Sequence, residues 1–238
     1  MSFLLKAKHF LLAILFPPVC IHCGKDLGNQ STPHHLCNNC FASIHLHSAF
    51  FCPVCVRRLP NSQHTCHSNA NYFLAAATDY QNPVIRALIW HFKYQKWRSL
   101  ASVLGNLLAQ YLNGIQYDLS DYVLIPIPLY TNRQRERGFN QSELVAQYVS
   151  EKLFLPIFSD TLIRVKPTHT QTTLKDSDKK ITNVADCFQV SNLTIIQNKK
   201  IIVVDDVFTS GATMNEAVRT LKFAGAKKII ALVIAKAN

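Results

Sequence analysis

From residue 72 onward the chain alternates between short apolar runs and stretches in which apolar side chains recur every three or four residues. Tyr72 to Tyr80 (Tyr-Phe-Leu-Ala-Ala-Ala-Thr-Asp-Tyr) reads as a first strand. Pro83 opens a helical pattern that runs to Tyr111, with Ile85, Leu88, Ile89 and Phe92 on one stripe. Tyr122-Val123-Leu124-Ile125 predicts a strand, Ser142 to Leu153 a helix, Lys200 to Val204 a strand, Thr213 to Ala224 a helix and Lys228 to Ala235 a closing strand. Strands of continuous aliphatic residues are buried on both faces. Their alternation with amphipathic helices predicts an α/β fold, a mainly parallel sheet with helices on both faces. Residues 164–186 break the pattern: they are rich in Thr, Lys and Asp and long enough to form a mobile loop or lid.

Upstream of residue 70 the periodicity is absent and Cys, His and Asn take over, which predicts a small module over 1–70 and an α/β domain over 71–238. The apolar stretch Phe10 to Phe16, after Lys6 and Lys8, is short and is followed by no small-residue cleavage site before the first Cys-x-x-Cys. It is read as an amphipathic helix docked on the body, not as a signal peptide. No run approaches the roughly 20 apolar residues of a spanning helix, so an integral membrane protein is not expected.

Composition sharpens this outline. Hydrophobic residues make up 48% of the 238 and charged residues 16%, which supplies a packed core and argues against disorder. The surplus of 25 Lys+Arg over 14 Asp+Glu favours polyanionic partners: nucleic acid, phosphorylated metabolites or acidic headgroups. Charge alone does not choose among them.

Seven of the eight cysteines lie between residues 20 and 66. Cys20-x-x-Cys23 and Cys37-x-x-Cys40, thirteen residues apart, can present four thiolates to one structural Zn²⁺. Gly24 fits the tight turn after Cys23. Cys52, Cys55 and Cys66 form a second, incomplete set, because the position three residues beyond Cys66 is Asn69. Either His64 or His67 completes it, or the segment keeps its shape without metal. The other histidines here, His22, His34, His35, His45 and His47, are expected at the surface. Thiolate-bound zinc implies a reducing compartment, the cytoplasm. The isolated Cys187 is expected to be a small buried hydrophobe.

The densest chemistry follows the strand Ile201-Ile202-Val203-Val204. Asp205-Asp206 ends it, and Thr209-Ser210-Gly211-Ala212-Thr213 turns into a helix. Small residues at a helix N-terminus let backbone N–H groups converge on a phosphate. The two carboxylates then face the adjoining part of the ligand, to bind hydroxyls or hold Mg²⁺. No Gly-x-x-x-x-Gly-Lys-Ser/Thr or Gly-x-Gly-x-x-Gly loop exists, which removes the common nucleotide-binding alternatives. Arg133, Arg135 and Arg137 follow Pro126-Ile127-Pro128, either on the same sheet edge as this turn or in a solvated basic loop. Gly138 predicts a turn and Asn140 a helix cap.

Val203-Val204-Asp205-Asp206-Val207-Phe208-Thr209-Ser210-Gly211-Ala212-Thr213 resembles the phosphoribosyl-pyrophosphate (PRPP) signature of type I phosphoribosyltransferases. Ile125-Pro126-Ile127-Pro128-Leu129, Arg133 and Arg137-Gly138-Phe139-Asn140-Gln141 narrow the resemblance to the ComF family, which couples a cysteine-rich zinc-ribbon module to this domain. The likeness extends to Phe92-Lys93-Tyr94 and to Arg164, Thr168, Gln171, Leu174 and Asn183. Asn69 and Lys180 depart from it, the latter standing where that family has arginine.

The resemblance implies a type I phosphoribosyltransferase-like fold that binds PRPP with magnesium. Thr209, Ser210, Gly211, Ala212 and Thr213 would hold the 5′-phosphate. Asp205 and Asp206 would meet the ribose hydroxyls, and Arg133, Arg135, Arg137 and Lys93 the pyrophosphate. Asp205, Asp206 and Arg137 are then the catalytic candidates. It also implies a part in DNA uptake during natural transformation, with single-stranded DNA and other competence proteins at the inner membrane as candidate partners. The aromatic and basic group Trp90, Tyr94, Lys96, Trp97 and Arg98 suits single strands or, equally, a helix core with a basic edge. A zinc-bearing, non-catalytic DNA adaptor that retains the fold is the alternative.

Overall fold

The computed structural model describes residues 18–28, 35–60, 64–167 and 185–237. Four strands form its central sheet: β1 (Phe73–Asp79), β2 (Tyr122–Pro126), β5 (Lys200–Phe208) and β6 (Lys228–Lys236). They run parallel in the order β1-β6-β5-β2. β3 (Leu162–Arg164) and β4 (Phe188–Val190) form a separate antiparallel pair. The helices are α1 (Asn38–Ala42), α2 (Pro83–Tyr94), α3 (Leu100–Gly114), α4 (Thr131–Arg137), α5 (Gln141–Leu153), α6 (Leu193–Ile196) and α7 (Ala212–Phe223).

Side chains on a strand alternate between faces, so each buried strand feeds two cores. Ile202, Val204, Ile230, Leu232 and Ile234 pack with α2, α3 and α5 on one face. Ile201, Val203, Ile229, Ala231 and Val233 pack with Met214, Ala217, Val218 and Leu221 of α7 on the other. The predicted two-faced parallel sheet is the observed one.

The helical pattern from Pro83 to Tyr111 is two helices rather than one. Asn82 starts α2 by accepting the N–H groups of Val84 and Ile85. The chain then leaves helical geometry beyond Tyr94, where Lys96 takes a φ of 59°. Both helices present apolar stripes to the same core, which is why the periodicity is continuous in the sequence. β5 runs four residues past the predicted end, because β6 keeps pairing with it up to Phe208 opposite Lys236. Asp205 and Asp206 are therefore held in a strand, not in a turn.

The cysteine-rich segment is tied to the sheet edge. Phe51 and Leu74 exchange backbone hydrogen bonds of 2.8 and 3.0 Å, and the His47 N–H donates to the Ala77 carbonyl. Residues 47–51 thus run antiparallel beside β1 and close its free edge. This contact corrects the surface placement of His47, whose side chain is only 25% exposed and lies 3.4 Å from Asp79. Burial lowers its pKa despite the neighbouring carboxylate. His22 and His45 are exposed as predicted and His35 is partly buried, while His34 lies outside the described residues. Cys187 is fully buried, as predicted. Also outside the described residues are the helix expected before residue 17, the central part of the 164–186 lid, and Thr168, Gln171, Leu174, Lys180 and Asn183. No helix among the described residues is long and apolar enough to cross a membrane.

Candidate functional site

The C-terminal ends of β2 and β5 open into a cleft of about 440 Å³. Asp205 and Asp206, adjacent on β5, both line it. The Asp205 carboxylate accepts hydrogen bonds from the Ser142 hydroxyl at 3.0 Å and the Asp206 N–H at 2.9 Å. Asp206 forms a 2.8 Å ion pair with Lys93, the next-to-last residue of α2, and both side chains are largely buried. Beyond them Gly211, at a φ of 73°, sits at the N-cap of α7. Thr209, Gly211, Ala212, Thr213 and Met214 face the cleft, so the N-terminus of α7 opens onto it. Ser210, assigned to the same turn, is exposed and is not part of the lining.

Three arginines close the opposite wall. Residues 131–137, expected either on the sheet edge beside the acidic pair or in a solvated basic loop, form the helix α4, and a helix separates what the sequence clusters. Arg133 and Arg137, four residues apart, share the face that lines the cleft, whereas Arg135 points elsewhere and is absent from the lining. Arg164 of β3 is the third arginine. Its pKa is lowered by burial, and that of Arg133 by burial and by the charges of Arg164 and Arg137. Mutually repelling cations held around a hollow lined by two carboxylates make a site for a strongly anionic ligand. Gly138 gives the predicted turn at a φ of 79°. Asn140 does stand at the N-cap of α5, but without a capping bond, since its side chain donates to the Ile127 carbonyl instead.

Away from the cleft, two clusters have their donor atoms within 4.8 Å of one another: Cys20, Cys23, Cys37 and Cys40, and Cys52, Cys55, Cys66 and His67. Zn–S bonds of about 2.3 Å in a tetrahedron put sulfurs about 3.8 Å apart, and Cys23 and Cys37 are 3.7 Å apart. In the second cluster His67 Nδ1 lies 3.4 Å from Cys52 Sγ and 3.3 Å from Cys66 Sγ. His67, not His64, is therefore the residue placed to complete this set. For Cys20 and Cys52, burial raises the pKa but backbone N–H groups outweigh it, bringing each thiol down to about 6. Cys66, in the same set as Cys52, is pushed up to about 11 by hydrogen bonding to Cys55 and Cys52, and Cys40 is pushed up by burial and by its neighbours. Thiols crowded this closely ionise together only around a cation, so the donor sets fit zinc.

A family model for the phosphoribosyl transferase domain matches residues 93–238, and one for a double zinc ribbon domain matches residues 11–69. Competence protein F of Haemophilus influenzae is 30% identical over 92% of this chain and 96% of its own length. The chain belongs to the ComF family. Competence protein ComFC of Bacillus subtilis is 25% identical over 85% of this chain and 88% of its own. Among solved structures, the PRPP amidotransferase of B. subtilis is 19% identical, with a TM-score of 0.37, over 55% of this chain and 25% of that one. The ComF cysteine clusters are thus structural zinc sites of a double ribbon, beside a type I phosphoribosyltransferase domain.

Within this ComF cleft, Asp205 is an anomalous acid. Burial and the adjacent Asp206 charge raise its pKa to about 6, against the opposing influence of Lys93, the Asp206 N–H and Ser142. A carboxyl whose folded pKa lies above its unfolded value binds more protons in the native state. Its ionisation therefore costs stability above about pH 6, and the cost disappears as pH falls below the unfolded value near 3.8. Asp205→Asn keeps an oxygen that accepts from Ser142 and from the Asp206 N–H. It is expected to raise the melting temperature of the ligand-free protein at pH 8 and to have no such effect near pH 4. A pH series of thermal melts checks this, and an Asn variant that melts lower at pH 8 contradicts it.

Ser142 is a site residue that the sequence pattern does not single out, and Gln141, which belongs to the Arg137-Gly138-Phe139-Asn140-Gln141 run, gets no role in the site from that pattern. Both stand at the start of α5, where the first turn reaches the cleft, and Gln141 accepts a 3.0 Å hydrogen bond from Arg137. The available signal is their position next to the Arg137-Gly138-Phe139-Asn140 run.

Proposed function

We propose that this ComF protein binds PRPP in the cleft and serves the handling of incoming DNA in natural transformation from the cytoplasm. The observation that carries this reading is the joining, in one hollow, of a helix N-terminus, an acidic pair and the cations Lys93, Arg133, Arg137 and Arg164. PRPP carries a single phosphate at one end, hydroxyls in the middle and a pyrophosphate at the other. The turn Thr209–Thr213 suits the first, Asp205 and Asp206 the second, and the arginines the third. Its relatives in Haemophilus influenzae and B. subtilis, named as competence proteins, support the setting. Thiolate zinc ligands support the compartment. We place the division between the ribbon module, 1–70, and the transferase-like domain, 71–238, where residues 47–51 meet β1.

As a transferase, the protein would let an acceptor nucleophile form a bond to C1′ while the bond from C1′ to the pyrophosphate oxygen breaks. Arg133, Arg137 and Arg164 would stabilise the charge gathering on the leaving group. Magnesium would be held by the oxygens of Asp205 and Asp206 together with the ligand, and would supply charge neutralisation to the pyrophosphate. Calorimetric titration of the zinc-replete protein with PRPP and Mg²⁺, followed by pyrophosphate release over a panel of acceptors, tests the reading. Binding without release leaves a non-catalytic adaptor.

A second reading, single-stranded DNA as partner, is favoured by an aromatic shelf at the rim. Trp90, Tyr94 and Trp97 are 48%, 58% and 38% exposed. Trp90 lies 6.2 Å from Tyr94, His91 lies 4.9 Å from Trp97, and Arg137 sits 6.0 Å over the Tyr94 ring. Exposed rings interleaved with cations are the means by which proteins stack unpaired bases. Oligo(dT) is expected to quench the tryptophan fluorescence. Trp90→Ala with Tyr94→Ala is expected to weaken that binding at least about tenfold, at roughly 1 to 3 kcal/mol per stacked base. Unaltered oligo(dT) affinity removes the shelf from the account.

A further inference from the structure

The phosphate turn and the second cysteine cluster are joined by a short line of contacts. Tyr72, immediately before β1 and 6% exposed, donates its hydroxyl to Asn215 Oδ1 at 2.5 Å, across 143 residues of sequence. Asn215 belongs to the first turn of α7, and its own N–H donates to the Gly211 carbonyl at 2.7 Å. Its side-chain amide also packs against Gly211, since a Cβ there would lie 3.4 Å from Asn215 Nδ2. Gly211 has no side chain with which to hold its own left-handed conformation. Phe208 on one side and Asn215 on the other confine it.

At the other end, Tyr72 is two residues from Leu74, which pairs with Phe51, and Cys52 follows Phe51. Phe51, Tyr72, Leu74, Ala212 and Met214 lie in one apolar cluster. Burial pushes the Tyr72 pKa up, so its hydroxyl remains a donor across the accessible pH range.

We propose that Tyr72 and Asn215 are positioning residues that carry the state of the second metal cluster, Cys52, Cys55, Cys66 and His67, to the phosphate turn. PRPP affinity then depends on the ribbon, although no ribbon residue among those described lines the cleft. This rests on the reading of the cleft as a PRPP site.

The test is PRPP titration calorimetry, with Mg²⁺, on the zinc-replete full chain. Tyr72→Phe keeps the ring and removes one O–H. It is expected to weaken PRPP about threefold to tenfold, the range of one neutral hydrogen bond, while zinc content stays at the wild-type value. Asn215→Ala is expected to match it, and the double variant to be no weaker than the weaker single one, because both break the same line. His67→Ala, measured at its reduced zinc content, is expected to lose affinity to the same extent and to gain no further loss from Tyr72→Phe. A role confined to stability lowers the melting temperature and leaves the dissociation constant of the folded protein unchanged. Wild-type affinity in Tyr72→Phe and Asn215→Ala, or losses that multiply, overturns the link while the PRPP reading stands. A wild type that does not bind PRPP overturns both. If His67→Ala does not fold, the Tyr72 and Asn215 variants decide by themselves.

Discussion

Replacing Asp205 and Asp206 together by asparagine is expected to reduce PRPP affinity by a hundredfold or more. Each lost charge-assisted hydrogen bond contributes roughly 1.5 to 3 kcal/mol, and about 1.4 kcal/mol is a factor of ten. The effects on the ligand-free fold oppose one another. Asp205→Asn would relieve the repulsion that holds Asp205 near a pKa of 6, whereas Asp206→Asn would leave the buried Lys93 ammonium without its 2.8 Å partner. The double variant is therefore expected to be the least stable, because Lys93 then faces neither carboxylate, whereas in Asp206→Asn the Asp205 charge still opposes it. Asp205→Asn is expected to be the most stable. Calorimetric titration beside thermal melts checks both statements. Normal PRPP binding by a folded double variant would falsify the central reading and leave a zinc-bearing DNA adaptor with a vestigial turn. Gly211→Val is a poor substitute for this experiment. A Cβ at Gly211 falls 2.7 Å from Phe208 Cζ on a backbone with a φ of 73°, so lost binding there would not be separable from a collapsed turn.

The second large effect concerns zinc. Wild-type protein is expected to hold two zinc ions per chain by metal analysis, and the pair Cys20→Ser with Cys37→Ser to hold one. His67→Ala is likewise expected to hold one, whereas His64→Ala keeps two. Apparent binding free energies of structural zinc are on the order of 10 to 16 kcal/mol, comparable to the whole stability of a domain. Complete removal by a chelator is therefore expected to unfold the ribbon, and hydrogen exchange along β1 is expected to rise as residues 47–51 leave its edge. Two zinc ions retained in the Cys20/Cys37 variant would show that the first cluster is not the ligand set.

Local chemistry made part of this protein legible in advance. The apolar runs at 72–80, 122–125, 200–204 and 228–235 located all four strands of the central sheet, because a strand buried on both faces has little choice but largely apolar residues. Cysteine pairs announced metal through spacing alone. The Asp-Asp run followed by small residues announced the cleft, since both of its parts lie within nine residues of chain.

Other features depended on neighbours distant in sequence. Arg133, Arg135 and Arg137 look equivalent along the chain, and only the helical geometry of α4 turns Arg135 away from the cleft. Lys93 and Asp206 are 113 residues apart, yet their ion pair is what the buried acid rests against. His64 and His67 were equal candidates by spacing, and the fold brought Nδ1 of His67 to the thiols.

The sequence by itself determined the parallel α/β architecture, the first cysteine set and the Asp-Asp run that leads into α7, because each is encoded by contiguous residues whose propensity and spacing act locally. Only the tertiary structure decided which cations face the acids, which histidine completes the second cluster and how the ribbon pairs with β1. Those outcomes follow from packing strands and helices against one another. Packing sets distances between side chains that no local pattern contains.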